Sequence, residues 1–216
     1  MQYLARTRQP YRPLLRCIVA STLFLCLIVP LSAKAEEPDE FIGRLADTAI
    51  ASLTTEEIEL ATRQERFRNL LRDGLNLDRM ARVLLGPYRR RASEDQILSF
   101  EAALEDYVVY TYAWRFAAYS GQKFETGTVK DGRRETKVVE SFLYPDNNAA
   151  PIVVEWHVED INGAWRIFDI VVENVSMVVT QKAEFQSVLS SQNGDVDALT
   201  AILVKKNKVL AKRGTS

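Results

Sequence analysis

The stretch Ile152-Val153-Val154-Glu155-Trp156-His157-Val158-Glu159, followed by Asn162-Gly163 and Ala164-Trp165-Arg166-Ile167-Phe168-Asp169-Ile170-Val171-Val172, decides the fold. Its first half alternates. Ile152, Val154, Trp156 and Val158 point one way, and Val153, Glu155, His157 and Glu159 point the other. That is the pattern of a strand with one apolar face and one largely wet face. Asn-Gly between two such runs is a hairpin signal, because both residues tolerate the positive φ of a turn twisted to match its strands. The second half is apolar on nearly both faces, as expected of a central strand. The sheet is therefore predicted to be antiparallel.

Toward the N-terminus, Phe124 to Val129 and Arg134 to Tyr144 share this period, which makes four strands. Their links are Asp131-Gly132 and a loop from Pro145 to Pro151. Before Gly121 the period is helical. Pro38 opens a helix carrying Phe41, Ile42, Leu45, Ala49, Ile50 and Leu53, and Thr54-Thr55 with Glu56 and Glu57 restarts one that ends near Asp73-Gly74. A short helix runs from Asp78 to Leu85 and stops at Gly86-Pro87. Ser93 and Gln96 form a capping box for the longest helix, which reaches the region of Tyr119. In it Tyr110, Trp114, Tyr107, Phe100, Thr111, Leu104, Ile97 and Val108 cover an arc of about 160°, wider than the stripe of about 100° that one flat surface needs. Either this helix is covered on two sides, or it lines a cavity, or it is a central helix with aromatics as filler. After the strands, Ser176 caps a helix to the region of Ser191, Gly194-Asp195 breaks it, and a last helix runs from Val196 into Lys205-Lys206-Asn207-Lys208.

The first residues read as a targeting segment. Arg6, Arg8, Arg12 and Arg16 precede an apolar run from Cys17 to Leu31, and Ala33-Lys34-Ala35 follows. A basic start, a short apolar core and an A-x-A site are the parts of a secretory signal peptide. The run is shorter than the roughly 20 apolar residues of a membrane span; an uncleaved anchor is the competing reading. Residues 1–35 are thus expected to be a cleaved signal, and residues 36–216 a single domain exported to the periplasm by the general secretion route. Both cysteines, Cys17 and Cys26, fall within the signal, so the mature fold cannot rest on disulfides. The signal holds five of the 28 basic residues and none of the 29 acidic ones, which leaves 23 against 29, a mature net charge of −6. Such a surface does not attract nucleic acid.

Chemistry-bearing motifs are scarce. Beyond the signal there is one histidine, His157, and no cysteine, so thiol catalysis, Cys/His zinc sites and iron–sulfur clusters are out. Neither G-x-S-x-G, a P-loop, G-x-G-x-x-G nor H-E-x-x-H occurs. His157 reads as a solvated residue between Glu155 and Glu159. Asp169 lies among Ile167, Phe168, Ile170 and Val171, where a carboxyl is either a raised-pKa acid or, as favoured here, an acceptor for a nearby turn or helix N-terminus. No metal, cofactor or catalytic residue is expected.

Three stretches resemble one family. Leu77-Asp78-Arg79-Met80-Ala81-Arg82-Val83-Leu84-Leu85-Gly86-Pro87-Tyr88-Arg89 resembles its D-x-x-x-(I/M)-A-x-x-x-L-G-x-x-(W/Y)-(R/K) segment, and Ser93-Glu94-Asp95-Gln96 with Phe100 resembles the start of its long helix. Gly163 to Ser176 is similar to its W-(K/R)-(V/I)-(Y/F)-D-(V/I)-x-(V/I)-(E/D)-G-V-S run, with Asn174 in place of glycine and Phe185 following. Asparagine is the next best residue for positive φ, so the turn should survive. The family is the MlaC-type periplasmic phospholipid-binding proteins, auxiliary components of an ABC transporter, with a hopanoid-associated subgroup. The likeness runs from Phe41 to Leu203.

The resemblance implies an α+β fold, a curved four-stranded antiparallel sheet packed by several helices around a deep apolar lipid pocket. It implies a monomeric carrier of phospholipid or hopanoid between an outer-membrane lipoprotein complex and an inner-membrane ABC transporter. The expected pocket wall is Leu84, Tyr107, Tyr110 and Trp114 from the helices, with Val138, Phe142, Val154, Trp156, Phe168, Ile170, Val172, Val175 and Met177 from the sheet and its exit. Arg89, Arg90 and Arg91 are the expected docking spot. The rival readings are an enzyme on a similar cone-shaped fold using Asp169 as acid or base, and an envelope adaptor with an ordinary filled core.

Overall fold

In the computed structural model, residues 36–55, 58–145, 147 and 149–213 are described; the segment 1–35, expected to be a signal, lies outside them. Two α-helices open the chain, α1 (Pro38–Leu53) and α2 (Leu60–Gly74). The start expected for α2 at Thr54-Thr55 is displaced to Leu60. Buried Arg63 explains the tight corner: its Nε donates to the Leu53 carbonyl at 2.8 Å, satisfying a helix-end carbonyl that would otherwise be orphaned. Next come α3 (Leu77–Leu85), a 3₁₀ helix (Gly86–Arg91) and α4 (Glu94–Tyr112). Gly86 has φ +55°, and a Cβ there would collide with the Gln186 amide, so the Gly-Pro stop also serves close packing. The Ser93/Gln96 capping box is formed. The long helix is shorter than expected, because the chain tightens into a second 3₁₀ helix, Ala113–Ala118.

The sheet follows: β1 (Lys123–Asp131), β2 (Lys137–Tyr144), β3 (Ile152–Ile161), β4 (Ala164–Val172) and β5 (Val175–Ser176), antiparallel in chain order. Asn162 and Gly163 turn the β3–β4 hairpin with φ +55° and +84°, as the Asn-Gly signal requires. Among the described residues the expected four strands are five. β5 is only two residues long, too short to display a period, yet it pairs Val175 with Val172 and makes β4 an inner strand. β2 begins at Lys137 and not Arg134, because Arg134 and Glu135 both take positive φ in the preceding turn. Irregularities in the register between Thr126 and Val129 and between His157 and Val158 are bulges, which bend and twist a sheet. Helices α5 (Met177–Ser191) and α6 (Val196–Leu210) close the chain.

Among the described residues the core is in three pieces. Phe100, Leu104, Phe185, Leu199 and neighbours unite α3, α4, α5 and α6. Phe41 and Ile42 of α1 cover Val139, Val158 and Ile167 of the sheet. Leu71, Val109 and Ala113 join α2 to α4. Helix α4 is thus covered on two sides, the first of the three readings of its wide arc. Leu75 packs against both the second and the third cluster.

The junction from β4 to α5 hangs on Asp169. Its Oδ2 accepts from the Ser176 hydroxyl at 2.6 Å, and its Oδ1 accepts from the backbone N–H of Val178 at 3.1 Å and of Ile170 at 2.8 Å. Ser176 in turn caps α5 by accepting from the Val179 N–H at 3.0 Å. The turn between, Glu173-Asn174, has φ +48° and +65°, so asparagine does hold the position where glycine was expected. Asp169→Asn should cost on the order of 1–2 kcal/mol and Asp169→Ala about 2–3 kcal/mol, because alanine leaves the helix donors unpaired. Urea unfolding checks this; equal midpoints for both variants and the wild type would show that the carboxylate does not hold the junction.

Candidate functional site

The β-sheet register decides which side chains share a face. Val139 lies opposite Trp156 and Ser141 opposite Val154, while Trp156 lies opposite Ile170 and Val154 opposite Val172. Val172 in turn pairs with Val175. One face therefore carries Val139, Val154, Trp156, Val158, Ile170 and Val172, reaching Val175 at the edge. Phe124 opposite Leu143 extends it on the β1 side. Its exposure is graded: Val139 and Val158 are 0% exposed under α1, Trp156 and Ile170 are half-buried, and Ile152 and Val175 are 37% and 50% exposed. A sheet face this apolar is covered at one end and open at the other.

Two polar groups at the middle of this face are spent internally. Trp156 Nε1 donates to Ser141 Oγ at 2.8 Å, and that hydroxyl donates to the Val154 carbonyl at 3.3 Å. The wall thus presents carbon, the surface an acyl chain matches. Across the Leu75 contact stand α4 and its 3₁₀ extension, which also packs on α1 and α2. Here Tyr110 lies beside the third cluster, while Trp114 belongs to none of the three. On this side the Thr111 Oγ1 and Trp114 Nε1 atoms are buried with no hydrogen-bond partner among the described residues. A buried donor left unmade costs about 1–3 kcal/mol.

The thirteen expected wall residues do not all come together. Val154, Trp156, Ile170, Val172 and Val175 share the apolar face, and Tyr110 and Trp114 stand on the helical side. Val138 and Phe142 point to the opposite sheet face, because Val138 pairs with His157 and Phe142 with Val153. Phe168 sits at the β3–β4 bulge under the Arg79 guanidinium, 3.6 Å from its ring centre, with His157 edge-on. Leu84 is buried in the helical cluster, and Tyr107 packs edge-on against Phe185. Met177 is the half-buried first residue of α5. Phe124 and Leu143, not among the thirteen, share the apolar face. Their signal was the period of β1 and β2, readable only once the pairing is known.

Two open surface clefts, of about 470 and 500 Å³, are charged, the first lying between α1 and Thr126 of β1. The first is lined by Asp39, Glu40, Arg44 and Asp47, the second by Asp78, Arg89, Glu94 and Glu101 around Ile97 and Leu98. In the second, burial pushes the Glu101 carboxyl up against the pull of Arg82 and Arg89. Neither suits an acyl chain. Arg89, Arg90 and Arg91 are exposed on the 3₁₀ turn, Arg91 lying over the Tyr88 ring at 5.9 Å. Among the described residues no group of three or more His, Cys, Asp or Glu could hold a metal ion, and no helix is long and apolar enough to cross a membrane.

Known proteins resemble this chain. A phospholipid-binding protein of Ralstonia solanacearum, solved in complex with a phospholipid, has the same fold, with a TM-score of 0.71 at 20% sequence identity over 83% of this chain and 100% of that one. The intermembrane phospholipid transport system binding protein MlaC of Haemophilus influenzae is 22% identical over 185 residues, 82% of this chain and 86% of the relative. The profile of the MlaC protein family matches residues 43–205, from the second turn of α1 into α6, and the chain belongs to that family.

Proposed function

We propose that this protein is a periplasmic carrier that holds the acyl chains of a phospholipid against the apolar sheet face and passes the lipid between outer-membrane and inner-membrane components of a transport system. The observation that carries this reading is the graded face from Val139 to Val175, covered by α1 at one end only. Burying one CH₂ is worth about 0.8 kcal/mol, so a tail of about 16 carbons resists water by about 12 kcal/mol and two tails by about 24. No lipid crosses an aqueous gap at that cost unshielded. A wall about as apolar as the bilayer makes uptake and release nearly neutral, so partner contact alone can drive the exchange.

In this reading residues 1–35 are a cleaved signal, residues 36–216 act as a monomeric lipid-binding domain, and no catalytic step is needed. The bonding of Asp169 supports a carrier over an enzyme: both its oxygens serve the β4–α5 junction. A net charge of −6 over residues 36–216 repels anionic bilayers, so recognition falls to protein partners, with attraction confined to local basic spots such as Arg89, Arg90 and Arg91.

Val154→Glu and Ile170→Glu each place a carboxylate on the apolar face. Both variants should fold, and extraction followed by lipid mass analysis should find their load largely lost; a full load in both would show that lipid sits elsewhere. Arg90→Glu combined with Arg91→Glu should leave bound lipid unchanged and slow transfer between partner complexes at low ionic strength, an effect that fades with salt. Transfer as fast as wild type at low salt would remove this patch from docking.

A further inference from the structure

We propose that Arg115, the Thr111 hydroxyl and the Trp114 indole N–H form a subsite for the phosphate and ester-linked glycerol of a glycerophospholipid. The proposal rests on the carrier reading and adds which part of the lipid the protein reads. Two comparisons within the chain set these groups apart. Helical threonines normally return their hydroxyl to the carbonyl one turn back, as Thr48, Thr180 and Thr200 do at 2.7 to 2.8 Å. Thr111 does not, although its Oγ1 is buried. Of the three tryptophans, Trp156 donates to Ser141 and Trp165 to the Glu36 carbonyl, both at 2.8 Å. Trp114 Nε1 is buried and donates to nothing among the described residues.

Positions three apart on a helix face the same side, so Thr111 at the end of α4 and Trp114 in its 3₁₀ extension stand on one face. The next residue, Arg115, is exposed, and its guanidinium lies 5.4 Å from the Tyr112 ring centre and 5.6 Å from that of Trp114. No carboxylate pairs with it among the described residues. Rings hold a cation by their faces and leave its N–H groups unspent for an incoming anion. Together the three offer two neutral donors and one cation. A glycerophospholipid presents the matching groups, ester carbonyl and phosphate, whereas a polycyclic hydrocarbon lipid has neither.

The exported protein is exchanged against vesicles holding equal amounts of phosphatidylglycerol, its ether-linked analogue and diacylglycerol, and bound lipid is counted by native mass spectrometry. Wild type should prefer phosphatidylglycerol to diacylglycerol by about tenfold or more, and to the ether analogue by a few-fold. Arg115→Gln should collapse the first ratio toward unity while diacylglycerol still binds. Trp114→Phe and Thr111→Val should collapse the second. In the wild-type protein the Trp114 indole N–H resonance should move on loading with phosphatidylglycerol, and that of Trp165 should not. A wild type without preference, ratios unchanged in the variants, or an unmoved Trp114 resonance would overturn the subsite while the carrier reading stands. A wild type that takes up none of the three lipids overturns both.

Discussion

An apolar sheet face must be covered, and here the helices cover only one end of it. At about 25 cal/mol per Å² of apolar surface, a half-covered face is a standing cost to the empty protein and an equal gain when a ligand supplies the missing contacts. The arrangement of the chain follows from this. Helix α1 seals Val139, Val158 and Ile167, while α4 stays with the helical clusters, so the core divides and leaves Trp156 and Ile170 half-buried at the margin of the second cluster. Ordinary domains gather one contiguous core; this one is held together through Leu75 and Val108, each packing on two clusters.

Keeping a face open requires rigid surroundings, and the chain supplies them with polar bonds at the margins. Asp169 ties the end of β4 to the start of α5, and Glu159 takes Asn76 Nδ2 at 2.7 Å and pairs with Arg79, tying β3 to α3. Arg68 and Arg72 of α2 both reach Glu105 of α4. Burial pushes the Glu105 carboxyl up, but the hydrogen bonds from Arg72 and Arg68 outweigh it and hold the group below its ordinary value. These ties surround the apolar wall without entering it. At the middle of the wall, Trp156 Nε1 donates to Ser141 Oγ.

Much of this was legible in the sequence because it is local. Asn162-Gly163, the Ser93/Gln96 box and the Ser176 cap each encode their structure within a few residues, and each formed. What was not legible depends on partners far along the chain. Nothing in Val175-Ser176 marks a strand until Val171 and Val172 lie beside it. In β2, Val138 and Val139 are adjacent and both apolar, so composition cannot choose the inward one. Glu140, sharing the parity of Val138 and Phe142, was the available hint, and Ser141 on the apolar face obscured it, since its role depends on Trp156 from the next strand. The stop at Tyr112 was hidden too, because Ala113 to Ala118 continues the helical pattern while the chain tightens to 3₁₀.

The central claim is that the uncovered face exists for a lipid. Native mass spectrometry of the protein purified from its own cells, without added lipid, tests it most directly. The account expects a bound phospholipid on the folded chain, lost in Val154→Glu. A wild-type protein that emerges empty, and whose stability does not change when phospholipid is supplied, would contradict it.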